Sequence, residues 1–243
     1  MKTAILVTGQ YRKQVYDHHT LIPRMLKIFD CDIFFHTWDN HVNLVPFKWK
    51  DRLFSSPEPE MNYHPIDDNP LNMKHKKWET YRSKKLLQDK TRHANKQLLA
   101  YSNLINRIPE EYDMCIRVRW DVFVSDKVDF KPYLEMGYNE GAVGFMVRPP
   151  RGQSVDQLLE LTKDPAKSLR NGEDKDNFWD DDWYGYVPDC MIFHRRDHFN
   201  TDLVKELHAK KSLAPAEWGW YQILSEPFGD IHTSVHGGAM IMR

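Results

Sequence analysis

Long apolar runs are absent from this chain of 243 residues. Its longest uninterrupted stretches hold only about five apolar residues, far short of the roughly 20 that span a bilayer. Residues 4–7 lie near the start, but they are fewer than the roughly 7 to 15 apolar residues of a signal peptide. We therefore predict a cytoplasmic protein without a transmembrane segment, working free or peripherally at a membrane surface.

An excess of positive charge is also lacking. Lys and Arg number 34 against 35 for Asp and Glu, which leaves a formal net charge of -1. Proteins that bind nucleic acid neutralise its phosphates with clustered cationic side chains. The balance of charge therefore argues against nucleic acid as a partner.

Cysteine is scarce, with three residues in the whole chain. Cys31, Cys115 and Cys190 are widely separated and stand at the edges of apolar segments. An odd, scattered set is unlike the paired cysteines of secreted disulfide-rich domains. We expect three buried free thiols in a reducing compartment.

Several catalytic signatures are missing as well. The sequence has no Walker A loop, no G-x-G-x-x-G, no H-E-x-x-H, no paired C-x-x-C and no G-x-S-x-G. These motifs carry the chemistry of P-loop kinases, Rossmann dehydrogenases, zinc proteases and common serine hydrolases. Their absence argues against all four classes.

The order of the apolar segments predicts an α/β fold. Residues 3–8 form a short apolar run that ends at Gly9, and 15–29 and 31–38 read as a helix and a second strand. Later segments predict strands at 114–124, 142–147, 187–194 and 239–242, and helices at 78–108, 155–161, 201–210 and 215–224. Residues 40–75 show little periodicity, so we predict a long irregular connection there. No repeat or linker divides the chain, so we predict one domain over 1–243 with a Rossmann-like, mostly parallel central sheet flanked by helices.

The most informative segment is the third predicted strand. Side chains alternate along a strand, so Arg117, Arg119 and Asp121 share one face while the other face is apolar. Burying such charges is costly unless they pair or meet a ligand. The pattern predicts a pocket at the strand's C-terminal end, where arginines bind phosphate oxygens and a carboxylate holds a divalent metal. The alternative is an Arg–Asp salt-bridge network with no function.

Two other strand ends carry polar side chains. The turn after the first strand holds the segment Thr8, Gly9, Gln10, Tyr11 and Arg12, and the second strand ends in His36, Thr37, Trp38 and Asp39. A glycine at such a turn allows a ligand to approach the backbone closely. Each turn is also compatible with ordinary packing. A site is favoured only because both polar strand ends are expected to lie beside the polar end of the third strand.

Residues later in the chain offer a general base and a metal ligand. Asp189 opens a predicted strand and Glu217 lies near a helix N-terminus, and the sequence does not choose between them as the base. His236 is a candidate metal ligand, although a lone histidine is more often structural.

In order and spacing, these segments resemble the WavE-type glycosyltransferases of surface-polysaccharide synthesis. The resemblance rests on residues 8–12, 32–39 and 112–121 and on Pro188 and Asp189, and it covers most of the chain outside 40–75. It implies a GT-A-like fold with a nucleotide-binding half over 1–125 and an acceptor-side half over 126–243.

The resemblance also implies an activity. A sugar would move from a UDP- or GDP-linked donor to a glycan or lipid-linked acceptor. Asp121 would be the last acid of the family's D-x-D motif and would hold Mn²⁺ or Mg²⁺. Arg119 replaces the first acid of that motif, which leaves open whether Arg117 and Arg119 neutralise the diphosphate themselves.

Roles for the remaining residues follow from the same resemblance. Residues at the strand ends would bind the donor: Thr8, Gly9, Gln10, Arg12, His36, Trp38, Asp39, Arg117 and Arg119. Arg119 would also stabilise the leaving group, while Asp189 or Glu217 would activate the acceptor. The competing interpretations are another arginine-dependent transferase, such as a sulfotransferase, and a non-catalytic glycan- or nucleotide-binding scaffold with the same fold.

Overall fold

A computed structural model of the chain describes a mixed α/β architecture. The described residues are 1–9, 11, 25–45, 47–59, 86–124, 128–146, 168–170, 189–210, 216–225, 232–236 and 239–241. Side chains are described for most of these residues, but not for 47, 86–95, 123, 146, 168–170, 216–218, 221, 225, 232–236 or 239–241.

Ten strands and four α-helices lie within the described ranges. The strands are β1 (Thr3–Thr8), β2 (Asp32–Trp38), β3 (Leu53–Ser56), β4 (Met114–Arg119), β5 (Val122–Val124), β6 (Ala142–Met146), β7 (Ser168–Arg170), β8 (Met191–Arg195), β9 (His232–His236) and β10 (Ala239–Ile241). The helices are α1 (Leu86–Ile105), α2 (Lys131–Asn139), α3 (Thr201–Ala209) and α4 (Ala216–Ser225). Shorter 3₁₀ helices cover Asp39–Leu44, Phe47–Arg52 and Arg196–His198, and residues 25–28 form a helical turn.

Eight of these strands form one sheet in the order β3-β2-β1-β4-β8-β6-β9-β7. Strands β3, β2, β1 and β4 pair in parallel, whereas β8 is antiparallel to both β4 and β6. β9 then pairs in parallel with β6, and β7 is antiparallel to β9. Six of the eight strands therefore run in one direction, and the prediction of a mostly parallel, Rossmann-like sheet flanked by helices is confirmed.

An apolar core lies on each face of the sheet. One core gathers the side chains of Ile5, Ile33, Ile116 and Phe193, against which α2 packs through residues such as Tyr133. The other core consists of the side chains that point to the opposite face of these strands, and they pack against α1, α3 and α4. Because successive strand side chains point to opposite faces, the alternating apolar pattern of β4 supplies both cores.

The third predicted strand is interrupted, which corrects the sequence interpretation. The chain turns at Trp120 and Asp121, and β5 then leaves the main sheet to pair antiparallel with β10. The carboxylate of Asp121 returns to the guanidinium of Arg119, so this ion pair accompanies the turn. Asp121 therefore does not belong to the regular alternation that continues from Arg117 to Arg119.

The connection predicted to be irregular is partly regular. Within 40–75, residues up to 59 include the 3₁₀ helices and the edge strand β3, which pairs with β2. Strand β3 contributes only four residues, too few for the alternation rule to detect. The sequence interpretation also missed α2, β7 and β9, while its helix at 155–161 lies outside the described residues.

No helix in the described part of the chain has both the length and the apolar character needed to cross a membrane. The prediction of one domain over 1–243 stays a prediction.

The three thiols provide a first test of the packing. Cys115 and Cys190 are buried, Cys31 is half-buried, and all three are free. Burial raises the pKa of Cys31 and of Cys115 to about 12, so little reactive thiolate forms at neutral pH. We expect a thiol reagent at pH 8 to label the native protein slowly and to label three thiols rapidly in denaturant. Rapid native labelling of Cys115 would contradict the described packing.

Candidate active site at the strand ends

Five strand ends meet at one edge of the sheet. Thr8 at the end of β1 aligns with Arg119 at the end of β4. Val118 aligns with Met191, so the antiparallel strand β8 begins at this edge. β2 and β3 end alongside, with Trp38 aligned to Ser56. Residues that follow the parallel strands are therefore brought close to Asp189, which precedes β8.

Arg119 joins two carboxylates at this edge. Its Nε and Nη2 donate to the two oxygens of Asp121 at 2.7 and 2.8 Å, and its Nη1 donates to Oδ2 of Asp189 at 3.0 Å. The side chains of Arg119, Asp121 and Asp189 are 14%, 6% and 3% exposed. These contacts form a nearly buried ion triad, and we use this name for the three residues below.

The triad determines the electrostatics of Arg119. Burial alone would lower the pKa of its guanidinium, but the charges of Asp189 and Asp121 and the hydrogen bond to Asp121 raise it above its ordinary value. The cation is therefore permanent at any working pH. Its positive charge is shared between two carboxylates.

Arg117 lies one pleat deeper on the same face. Its side chain has no exposed surface, and its guanidinium carbon is 4.9 Å from the centre of the Trp220 ring. Its Nη2 donates to Oε1 of Gln97 at 2.6 Å, and its Nη1 donates to the backbone carbonyl of Asp189. Burial lowers the pKa of Arg117 to about 10, which leaves the group protonated at neutral pH.

The ends of β2 and β3 form a second polar cluster. Ser56 Oγ accepts from Asn103 Nδ2 at 3.0 Å and lies 2.9 Å from His36 Nε2, to which its hydroxyl can donate. Burial lowers the pKa of His36 to about 4, so its imidazole is neutral. The Trp38 ring stands edge-on to this imidazole at 5.3 Å. Together they give a neutral wall beside the charged triad.

The turn after β1 leaves room at the edge. Gly9 has a φ of 111°, and a Cβ placed on it would meet no atom of the described residues within 4 Å. This backbone conformation favours glycine, and the open space permits a ligand to approach the chain. Thr8 beside it is buried, and its Oγ1 has no hydrogen-bond partner among the described residues.

Most of the predicted site residues lie together at this edge. The structure gathers Thr8, Gly9, His36, Trp38, Arg117, Arg119, Asp121 and Asp189 there. Asp39 begins a 3₁₀ helix and is exposed, whereas Gln10 and Arg12 lie outside the described residues. Glu217 lies in α4 and His236 ends β9, but their side chains are not described.

Sequence analysis missed Gln97, Ser56, Asn103 and Trp220. A signal for Gln97 was present, because it is four residues before buried Tyr101 and seven before buried Leu104 on α1. A polar side chain on an otherwise apolar helical stripe requires a buried partner. Ser56 and Asn103 gave no comparable signal, since they are small polar residues at a strand end and on a helix.

The described donor set does not fit a divalent cation. No group of three or more His, Cys, Asp or Glu side chains in the described ranges is arranged to hold a metal ion. Both oxygens of Asp121 accept from Arg119, whose positive charge stands where a cation would bind. The expectation of Mn²⁺ or Mg²⁺ at Asp121 therefore gains no support from these contacts.

Comparison with known proteins extends the fold assignment. No family model and no curated protein sequence matches the chain. Among solved structures, an inositol-1-phosphate CTP transferase from T. maritima is 10% identical with a TM-score of 0.53, and the match covers 100% of this chain and 89% of that one. A 4-diphosphocytidyl-2C-methyl-D-erythritol synthase from Anaerococcus prevotii is 7% identical with a TM-score of 0.51, over 97% of this chain and 86% of that one.

A structure with a bound nucleotide sugar matches with a lower score. S. aureus TarS 1-349 in complex with UDP-GlcNAc is 10% identical with a TM-score of 0.49, and this chain spans 59% of that fragment. That TM-score is too low to establish a shared fold. At such identities the two preceding matches establish the fold alone, which is the Rossmann-like fold of nucleotidyltransferases and GT-A enzymes.

Proposed function

We propose that this protein is a transferase that uses a nucleotide sugar, and specifically a glycosyltransferase. The observation that carries the proposal is the ion triad at the C-terminal edge of the parallel strands. Ligands of open α/β sheets bind at this edge. The triad holds one cation against two carboxylates, so the part of it that suits a nucleoside diphosphate is the Arg119 guanidinium, whose remaining N–H donors can reach phosphate oxygens.

The donor lies along the ends of β1, β2 and β4 in this proposal. Its phosphates approach the backbone at Gly9, where no described residue fills the space, and Thr8, Gln10 and Arg12 are the proposed contacts. His36, Trp38 and Asp39 border the nucleoside. Arg119 retains two N–H donors beyond its three described hydrogen bonds, and these stabilise the charge that develops on the leaving diphosphate.

The transfer step requires a base as well as an electrophile. The acceptor hydroxyl oxygen forms a bond to the anomeric carbon while the bond from that carbon to the diphosphate oxygen breaks. The hydroxyl proton passes to a carboxylate of the protein, either Asp189 or Glu217. Asp189 uses only Oδ2 in its hydrogen bond with Arg119, so Oδ1 remains as a proton acceptor. The acceptor is a glycan or a lipid-linked sugar.

Nucleotidyl transfer is the second candidate function. The two solved structures described above with TM-scores of 0.51 and 0.53 are named for cytidylyl chemistry, one as a CTP transferase and one as a diphosphocytidyl synthase. Such an enzyme would bind a nucleoside triphosphate and would release pyrophosphate. The product therefore distinguishes the two candidates.

The test is a thermal-shift panel followed by a turnover assay. The panel contains UDP, GDP, CMP, their sugar conjugates and CTP, each with Mn²⁺ or with EDTA. A ligand at 100 times its Kd stabilises the folded state by about 2.7 kcal/mol. We expect stabilisation by one nucleotide sugar, and release of its nucleotide only when an acceptor is added.

Variants then test the base and the triad. We expect Asp189→Asn to lower kcat by about 100-fold or more, because the amide cannot take the hydroxyl proton. The matched control is Asp197→Asn, an exposed acid that pairs with Arg195 at the far end of β8 and should leave turnover unchanged. Stabilisation by CTP with release of pyrophosphate would establish the second candidate, and binding of no nucleotide would reject both. A shift that disappears in EDTA would restore a metal to Asp121.

A further inference from the structure

Two arginines on one face of β4 hold the same residue. Arg119 binds the carboxylate of Asp189, whereas Arg117 binds its backbone carbonyl. Asp189 is therefore fixed both through its side chain and through its main chain. Only the first of these contacts lies where a ligand can reach it, because Arg117 has no exposed surface.

The surroundings of Arg117 are those of a core position. Its register partners are Leu6 on β1 and Ile192 on β8, and both belong to the apolar layer beneath α1 and α4. A guanidinium in this layer is expensive, since burial disfavours its charge. Its described contacts offset part of this cost through Gln97, the Asp189 carbonyl and the face of Trp220.

These contacts connect three elements to one point. Gln97 belongs to α1, Trp220 to α4, and Asp189 is the residue that leads into β8. The rigid fork of a guanidinium suits this task, because one planar group donates in two directions while its face lies on an aromatic ring. An apolar residue would fill the same space without fixing the carbonyl.

We propose that Arg117 is a positioning residue that holds Asp189 in register with the ion triad, and that it does not contact the donor. This inference rests on the proposed function for its catalytic consequence, but the structural part stands on the described contacts alone. It replaces the donor-binding role that the sequence pattern assigned to Arg117. It also gives Gln97 a role, as the acceptor that orients the guanidinium from α1.

Steady-state kinetics separate positioning from donor binding. We expect Arg117→Met and the milder Gln97→Met each to lower kcat by about 10-fold or more, since a displaced base loses its alignment. The KM for the donor should stay within about twofold, because neither side chain touches it. Arg117→Lys should recover part of the lost kcat, since it keeps the charge but not the fork. A raised donor KM with unchanged kcat would show instead that Arg117 binds the donor.

Hydrogen exchange tests the same contact without requiring activity. The measured quantity is the exchange rate of the amides of residues 190–193 divided by that of the β1 amides, called the 190–193 ratio below. Gln97→Met should raise this ratio at least about fivefold over its value in the original protein. The control is Leu98→Ala, the adjacent position on α1, which removes core packing but leaves the Arg117 contacts in place. It should lower overall stability more than Gln97→Met and leave the 190–193 ratio and kcat unchanged.

The turnover assay and the hydrogen-exchange measurement test separate claims, so failure of one proposal can be distinguished from failure of the other. Absence of transferase activity in the original protein would reject the proposed function but would leave the exchange result to decide on Arg117. Equal effects of Gln97→Met and Leu98→Ala on the 190–193 ratio would overturn the positioning role even in an active enzyme.

Discussion

Replacing Arg119 with Met is expected to lower the free energy of unfolding by about 3–5 kcal/mol, because it leaves two nearly buried carboxylates without their cation. Asp121 and Asp189 each depend on this guanidinium in the described contacts. Met fills a similar volume, so the loss measures charge more than packing. Urea denaturation followed by circular dichroism provides the measurement.

The chain contains a matched control for this substitution. Arg195 pairs with Asp197 at the same two-residue spacing, but the two side chains are 38% and 60% exposed. Arg195→Met should therefore cost only about 1 kcal/mol or less. Adding Asp121→Asn to Arg119→Met should return part of the lost stability, since one of the uncompensated charges is then removed. Equal losses from Arg119→Met and Arg195→Met would mean that the triad is not buried in solution.

Acidification from pH 7 to pH 5 is expected to remove about 4 kcal/mol of stability through two buried histidines. Burial lowers the pKa of His36 and of His194 from the ordinary value of 6.5 to about 4. Between these values the unfolded chain binds protons that the folded chain does not, so stability falls as the pH falls. Each histidine contributes about 2 kcal/mol over this interval.

Burial keeps His194 neutral, and its two hydrogen bonds fix the tautomer of the ring. Its Nδ1 donates to the carbonyl of Arg195 at 2.6 Å, so Nε2 accepts from the hydroxyl of Tyr101, also at 2.6 Å. A second proton on the ring would turn Nε2 into a donor, so the Tyr101 hydroxyl would have to accept instead of donate, and burial would disfavour the added charge. Denaturation curves at pH 7, 6 and 5 should show the loss, and His194→Gln should reduce it by about half. An unchanged pH dependence in His194→Gln would contradict the assignment.

The strand pattern predicted five of the eight strands of the main sheet, namely β1, β2, β4, β6 and β8, and the edge at which most of the candidate site residues lie. Three strands, β1, β2 and β4, were identified from short apolar runs or from alternation around Arg117. Buried parallel strands are recognisable in this way because most of their residues are apolar. Because these strands are parallel, the sequence also predicted which polar residues would meet at one edge. The positions of Thr8, His36 and Arg119 agree with that prediction.

Other parts of the site depend on contacts that no local pattern encodes. The sequence placed Arg119 and Asp121 side by side on one strand face. In the structure the chain turns at Trp120, and the two side chains form an ion pair with two hydrogen bonds. Arg117 looked equivalent to Arg119, but α1 and α4 enclose it. Packing between segments distant in sequence determines both the Arg119–Asp121 ion pair and the burial of Arg117. The alternation of side chains along a strand does not predict which helices cover each face of that strand.

The late position of β8 in the chain also orders the events of synthesis. Arg119 finds Asp121 two residues away, but Asp189 follows 70 residues after Arg119. At about 5–20 residues per second, a ribosome needs roughly 4 to 14 seconds to make that interval. During this time β4 has β1 on one side and an unpaired edge on the other, because β8 has not been made. The nascent chain thus carries an unpaired strand edge, at which another chain could pair, until the residue that completes the triad emerges.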